Sequence, residues 1–105
     1  MDYENIRMDI TVEAGGGDVN ETVTLHRVAE RVQIILRCDT AQTGGSLLVT
    51  KNMAGGEASI MGFELLAGVQ DFSYTKDDLH IHGGSELRVT STGLVGAYDL
   101  EVVFR

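Results

Sequence analysis

Asp78–Arg105, with the sequence DLHIHGGSELRVTSTGLVGAYDLEVVFR, is the stretch of the chain that decides the fold. Apolar and polar residues alternate through it, and glycines separate the alternating runs. In the last run, Tyr98–Phe104, the tyrosine and every second residue after it are apolar. Because successive side chains of a strand point to opposite faces, this pattern predicts strands that bury one face.

Runs with the same alternation recur along the chain, at the short spacing that is typical of an all-β sandwich or barrel. The turns between them depend on 13 glycines, since the chain has no proline. We therefore predict one all-β domain over residues 1–105, a two-sheet antiparallel β-sandwich with jelly-roll-like topology and about eight or nine strands. Residues 1–5 precede the first strand and are predicted to form an N-terminal arm that becomes ordered on assembly. The predicted strands are 6–13, 22–26, 31–38, 46–51, 58–66, 69–75, 78–82, 86–90 and 97–104.

The charge balance is acidic, since 16 Asp and Glu against 8 Lys and Arg give a net charge of −8. The basic residues are scattered, so the sequence has no cationic cluster of the kind that binds nucleic acid or anionic membranes. No run approaches the roughly 18 apolar residues of a membrane span, and the N-terminus lacks the segments of a signal peptide. We therefore expect a protein that is made in the cytoplasm and not secreted, with neither nucleic acid nor membrane as a partner. The single cysteine, Cys38, excludes an intrachain disulfide and is expected to be a buried apolar residue.

His80 and His82 come nearest to a catalytic motif. They lie two apart on a predicted strand, so their rings project from the same face, which is the geometry that two imidazoles need to share a metal ion. With Glu86 and Gly93 they give the spacing H-x-H-x3-E-x6-G, which resembles the first metal-binding motif of the cupin family of jelly-roll barrels. The resemblance implies a metal-dependent enzyme with His80, His82 and Glu86 as ligands. The chain departs from the family pattern at Tyr74, where cupins have a glycine, and in having only twelve residues after Gly93 for a second motif.

Strand polarity favours a different interpretation of the two histidines. The apolar residues of the same run, Leu79 and Ile81, take the inward face, which places both imidazoles on the polar side. If the following glycine turn pairs this strand with the next one, the histidines become cross-strand neighbours of Glu86 or Arg88. We therefore predict no metal and no other cofactor. A metal site shared between symmetry-related subunits remains open as an alternative.

Several apolar side chains fall on faces that are otherwise polar, as is natural in a subunit interface. An antiparallel sandwich also has edge strands, which oligomerisation can cover. Together with the two histidines, the candidate interface residues are Tyr3, Ile35, Leu48, His80, His82 and Val103.

The closing segment 83–105 resembles the C-terminal hairpin of small β-sandwich proteins of tailed-phage virions. In those proteins a glycine-marked turn precedes an L-x-V-T strand, here Leu87–Thr90, and the chain ends on an alternating strand. The resemblance implies a capsid decoration (cement) protein or related accessory protein, located in the virion. It also implies a homo-oligomer, with a trimer as the expected state, that binds the major capsid protein or another virion protein. The expected function is structural, with no enzymatic activity.

Two alternatives come from other functional classes. One is the cupin-like metal-dependent enzyme, which needs a transition metal on the histidines. The other is a small-ligand or carbohydrate-binding module, which needs exposed aromatic side chains on one face. The chain has three Tyr, three Phe and no Trp, and the alternation predicts that Tyr98 and Phe104 are buried.

Overall fold

The computed structural model describes residues 2–105 as a sandwich of two four-stranded antiparallel sheets, with no helix in that range. The sheets have the strand orders β1-β8-β3-β6 and β2-β7-β4-β5. Every connection except the β4–β5 hairpin crosses from one sheet to the other, which is jelly-roll topology. The predicted fold is therefore confirmed. The strands are β1 (Ile6–Val12), β2 (Asn20–Thr24), β3 (Val32–Cys38), β4 (Ser46–Met53), β5 (Gly56–Glu64), β6 (Asp71–Lys76), β7 (Glu86–Thr92) and β8 (Tyr98–Phe104).

The core lies between the sheets and is built from alternate residues of the central strands. Ile34 of β3 and Val102 of β8 are register partners, and both are completely buried. Val49 of β4 and Val89 of β7 are the equivalent pair in the second sheet. Burying one such side chain stabilises the fold by about 1.5–3 kcal/mol. The predicted burial of Cys38 is confirmed, as is that of the two aromatic residues of β8.

Edge position explains why the four outer strands are less buried. β1 and β2 lie at one side of the sandwich, and β6 and β5 lie at the other. The inward residues of β1 are only half-buried, although they pack against the core. In the described part of the chain, no helix has the length and apolar character that crossing a membrane requires.

The prediction of a strand over residues 78–82 is wrong. This segment belongs to the connection from β6 to β7, and its one bridge joins Ile81 to Ala29 through two N–H···O bonds of 2.9 Å. The N–H of Gly84 donates to the carbonyl of Leu25 at 2.7 Å, so the glycine pair is part of a crossover between sheets and not a hairpin turn. The predicted polarity is nevertheless correct, because Ile81 is buried and the flanking histidines are exposed.

Candidate functional site

One long side of the sandwich carries a partly exposed aromatic cluster. We call this side the β5–β6 flank and define it as residues 60–64 of β5 and 71–76 of β6, which are edge strands of different sheets. The ring centroid of Phe63 lies 5.0 Å from that of Phe72 and 4.8 Å from that of Tyr74. These are favourable tilted aromatic pairs, and they join the two sheets. Since Tyr74 is 45% exposed, the cluster has an open face.

The same flank presents unpaired backbone groups. The N–H of Cys38 donates to the carbonyl of Gln70 at 3.0 Å, which fixes the phase of the β3–β6 ladder. Because hydrogen-bonded pairs recur at every second residue of an antiparallel ladder, the even-numbered residues of β6 bond to β3. The N–H and C=O groups of Asp71, Ser73 and Thr75 therefore point away from the sheet. Such an edge is a template for pairing with another strand.

At one end of the flank, the side chain of Lys76 bridges the two edge strands. Its Nζ donates to the carbonyl of Ile60 at 2.8 Å, across the gap between the two sheets. Ile60 is the extra residue of a β-bulge, since the β4–β5 register shifts between Val49 and Thr50. A bulge and an inward lysine both discourage strand pairing at that end. The accessible part of the flank is therefore the part that carries the aromatic cluster.

The predicted interface residues lie on different faces of the molecule. Tyr3 is 45% exposed and lines a polar depression with Glu30 and Arg105. Leu48 is on the outer face of the second sheet and is 37% exposed. Ile35 is half-buried on the outer face of the first sheet. The structure does not bring these three side chains into one patch.

The prediction that Val103 is an exposed interface residue is wrong, because this side chain is only 3% exposed. It lies on the outer face of the central strand β8, between Arg7 of β1 and Gln33 of β3. Long polar side chains cover apolar surface with their stems, and the guanidinium of Arg7 is held nearby by an ion pair of 2.9 Å with Glu101. Val103 is therefore not available as an exposed contact residue.

His80 and His82 are exposed neighbours with ring centroids 4.6 Å apart in an edge-to-face arrangement. Glu86 does not join them, because it lies on β7 and pairs with Thr24 of β2. Among residues 2–105, no group of three or more His, Cys, Asp or Glu side chains is placed to hold a metal ion. The ligand set that the cupin resemblance implies is not assembled. The prediction that the histidines are cross-strand neighbours of Glu86 or Arg88 is also wrong, since their segment does not pair with β7.

The N-terminal segment is attached to the domain through Glu4. Its buried carboxylate accepts hydrogen bonds from the N–H groups of Asn5 at 3.0 Å, His26 at 2.6 Å and Arg27 at 3.1 Å. Burial opposes ionisation of the carboxyl, but the three backbone donors together outweigh it and lower the pKa of Glu4. That residues 1–5 become ordered on assembly stays a prediction, and Met1 lies outside the described residues.

Two further titratable groups are buried away from the flank. Burial raises the pKa of the Cys38 thiol and of the Tyr98 hydroxyl. Tyr98 belongs to a hydrogen-bonded chain in which the N–H of Val19 donates to Oγ of Ser91 at 2.8 Å. Ser91 Oγ lies 2.9 Å from the Tyr98 hydroxyl, which in turn donates to the carbonyl of Gly17 at 3.0 Å. This chain holds the β1–β2 loop against the second sheet.

No sequence pattern singles out Phe63, Phe72 or Tyr74 as site residues. In the structure all three face the gap between the sheets. One feature of the sequence could have indicated an aromatic cluster here, since half of the six aromatic residues fall between positions 63 and 74. Their exposure depends on the edge positions of β5 and β6, which a local pattern does not reveal.

The chain matches no protein-family model and no curated protein. It resembles several solved structures over nearly its whole length. PirA has 17% sequence identity and a TM-score of 0.56, with 100% of this chain and 95% of that chain covered. The Yersinia pseudotuberculosis-derived mitogen has 13% identity and a TM-score of 0.56, with coverage of 97% and 85%. A carbohydrate-binding module of the glycoside hydrolase family 9 enzyme Cel9A from Ruminococcus flavefaciens FD-1 has 8% identity and a TM-score of 0.53, with coverage of 97% and 98%. At these identities the likeness shows the fold alone, which is that of a small β-sandwich protein.

Proposed function

We propose that this chain is a structural assembly protein of the capsid decoration type, which binds copies of itself and the shell subunits of a phage head. In this role it stabilises the shell by adding buried interface and performs no chemistry. The observation that carries the proposal is the β5–β6 flank, where an unpaired strand edge lies beside the exposed ring of Tyr74.

The two features of the flank support association in different ways. The free N–H and C=O groups of Asp71, Ser73 and Thr75 can pair with a partner strand, and antiparallel pairing supplies direction and register. The aromatic cluster supplies apolar area, since complete burial of a large apolar side chain contributes about 1.5–3 kcal/mol. The net charge of −8 favours solubility of the unassembled chain, which suits a protein that is made in many copies.

The first test measures self-association by light scattering over a range of concentrations. Ser73→Pro removes one outward N–H without removing a bond to β3, and edge strands accept proline at such positions. Tyr74→Ser removes the exposed ring. Both variants should dissociate at concentrations where the parent chain is oligomeric. Val95→Ser removes an apolar side chain that is 41% exposed in the β7–β8 loop, and this matched control should behave like the parent.

The second test asks whether the oligomer binds a shell. The chain is co-expressed with the shell protein that its neighbouring genes encode, and the assembled particles are separated on a density gradient. We expect the parent chain and Val95→Ser to co-sediment with the particles and Tyr74→Ser to remain at the top. A parent chain that never co-sediments would rule out the decoration role. An oligomer of three chains would support the trimer.

A carbohydrate-binding module is the second candidate, and the exposed face of the Phe63–Tyr74 pair favours it. Sugar rings pack against aromatic side chains, and two carbohydrate-binding modules share the fold at TM-scores of 0.52 and 0.53. Affinity electrophoresis in gels containing xylan, hydroxyethyl cellulose or β-1,4-galactan tests this candidate. Retardation of the parent chain that Tyr74→Ser abolishes would support sugar binding, and unchanged mobility in all three gels would exclude these sugars.

A further inference from the structure

The crossover between β6 and β7 has an anchored backbone that carries two histidines. The N–H of Leu79 donates to the carbonyl of Glu30 at 3.0 Å, and Ile81 exchanges two bonds of 2.9 Å with Ala29. Ile81 is 4% exposed and anchors the segment in the core. Leu79 is half-buried and packs on the core from the same side as Ile81, so an extended backbone directs His80 and His82 to the opposite, solvent-facing side.

The two imidazoles are close enough to act together. Their ring centroids are 4.6 Å apart and their planes meet at 84°. Among residues 2–105, neither ring takes part in a side-chain hydrogen bond or ion pair. Each neutral ring therefore has a nitrogen lone pair available to a metal ion.

We infer that His80 and His82 form a two-imidazole chelate for one divalent transition-metal ion, with water in the remaining coordination positions. Imidazole nitrogen is a preferred ligand of Ni²⁺, Cu²⁺ and Zn²⁺, whereas Mg²⁺ and Ca²⁺ prefer oxygen. Because no third His, Cys, Asp or Glu of the described residues joins the pair, the chain supplies two ligands and leaves the ion open to water. This inference does not depend on the proposed assembly function.

The net charge of the chain favours cation binding in general, and one of the two acidic residues beside the histidines is unpaired among the described residues. Asp77 and Asp78 directly precede the histidine segment, and the whole chain has a net charge of −8. Asp77 forms an ion pair with Arg31. Asp78 has no side-chain ion pair among the described residues and is exposed. A negative net charge raises the concentration of divalent cations near the surface of the chain as a whole.

Titration calorimetry with NiCl₂ tests the inference, with a chain that carries no histidine tag. We expect one Ni²⁺ per chain for the parent. His80→Ala and His82→Ala should each weaken binding by at least about tenfold, since loss of even an outer-shell partner of a metal ligand costs 10–100-fold. His26→Ala is the matched control, because it removes the third histidine and should leave the affinity unchanged. Far-UV circular dichroism without metal verifies that all variants are folded.

A second measurement locates the ion without relying on affinity. Paramagnetic Ni²⁺ should broaden the ring proton signals of His80 and His82 first, before those of His26. The inference is overturned if the parent binds no Ni²⁺ in the titration, or if His26→Ala weakens binding as much as His80→Ala. It is also overturned if a chain that lacks both His80 and His82 binds Ni²⁺ as the parent does.

Discussion

The side chain of Gln42 exchanges two hydrogen bonds with the backbone of Val95. Its Nε2 donates to the Val95 carbonyl at 2.9 Å, and its Oε1 accepts from the Val95 N–H at 2.7 Å. The backbone of Gln42 also accepts from Gly68 and donates to Val69, both at 2.7 Å. One residue, only 1% exposed, thus joins the β3–β4, β5–β6 and β7–β8 loops at one end of the sandwich.

Replacing Gln42 should therefore destabilise the domain strongly. Gln42→Ala removes both hydrogen-bond partners of the Val95 backbone and opens a cavity at a side chain that is only 1% exposed, so we expect a loss of about 3 kcal/mol in the free energy of unfolding. Urea denaturation measures this loss. Gln70→Ala removes an exposed glutamine whose amide bonds to the Asp39 carbonyl at 3.3 Å, and it should cost less than about 0.5 kcal/mol. Equal losses for the two variants would contradict the role of Gln42.

Glu4 should make the stability of the domain depend on pH. A carboxyl whose pKa is lower in the folded state than its ordinary value of 4.5 contributes stability above that value and loses it as the pH falls through the folded pKa. At neutral pH we expect Glu4→Gln to cost about 2 kcal/mol, because the charged acceptor of three backbone N–H groups is lost. The difference from the parent should shrink as the pH falls below 4.5.

Urea denaturation at a series of pH values measures the Glu4 contribution. The exposed Glu21 offers a matched control, and Glu21→Gln should change the stability by less than about 0.5 kcal/mol at neutral pH. A Glu4→Gln difference that stays constant from neutral pH to pH values well below 4.5 would show that ionisation of this carboxyl does not stabilise the fold.

The hydroxyl of Tyr98 should contribute to stability through its hydrogen-bonded chain. Tyr98→Phe keeps the buried ring but removes the link between Ser91 and the Gly17 carbonyl, so we expect a loss of about 1–2 kcal/mol. Tyr74→Phe removes the hydroxyl of a ring that is 45% exposed and should change stability by less than about 0.5 kcal/mol. Urea denaturation midpoints of the two variants measure the contribution of the Tyr98 hydroxyl. A Tyr98→Phe midpoint equal to that of the parent would contradict the expectation.

Alternation in the sequence predicts the sandwich because one-sided burial repeats every second residue. The inward residues of β8 are completely or almost completely buried, and the pattern in Tyr98–Phe104 predicts this correctly. The same alternation is misleading at 78–82, where Leu79 and Ile81 pack inward while the backbone makes only one bridge. Periodicity therefore reports which side of a segment is buried, but it does not report whether a neighbouring strand pairs along it.

The candidate sites were harder to predict because exposure depends on residues that are distant in the sequence. Val103 has the outward position that its place in β8 predicts, yet Arg7 and Gln33 flank it from the strands on either side. Tyr74 has an inward position, yet it is exposed because β6 lies at the edge of its sheet. The exposed position of the His80 and His82 rings was predictable from the inward positions of Leu79 and Ile81. The separation of these rings from Glu86 was not predictable, since it follows from the path of the β6–β7 connection between the two sheets.

Gly45 should tolerate no side chain, in contrast to Gly55. Its φ is +102°, and a Cβ at this position would lie 2.8 Å from the Thr92 carbonyl oxygen and 2.9 Å from Cδ2 of Leu94. Backbone strain and overpacking then act together, and each alone costs about 1–3 kcal/mol, so Gly45→Ala should lower the free energy of unfolding by at least about 2 kcal/mol. A Cβ on Gly55 would meet no atom within 4 Å, so Gly55→Ala should change stability by less than about 0.5 kcal/mol. Thermal unfolding of both variants tests the contrast, and a Gly45→Ala variant as stable as Gly55→Ala would mean that the β3–β4 and β7–β8 loops can separate at little cost.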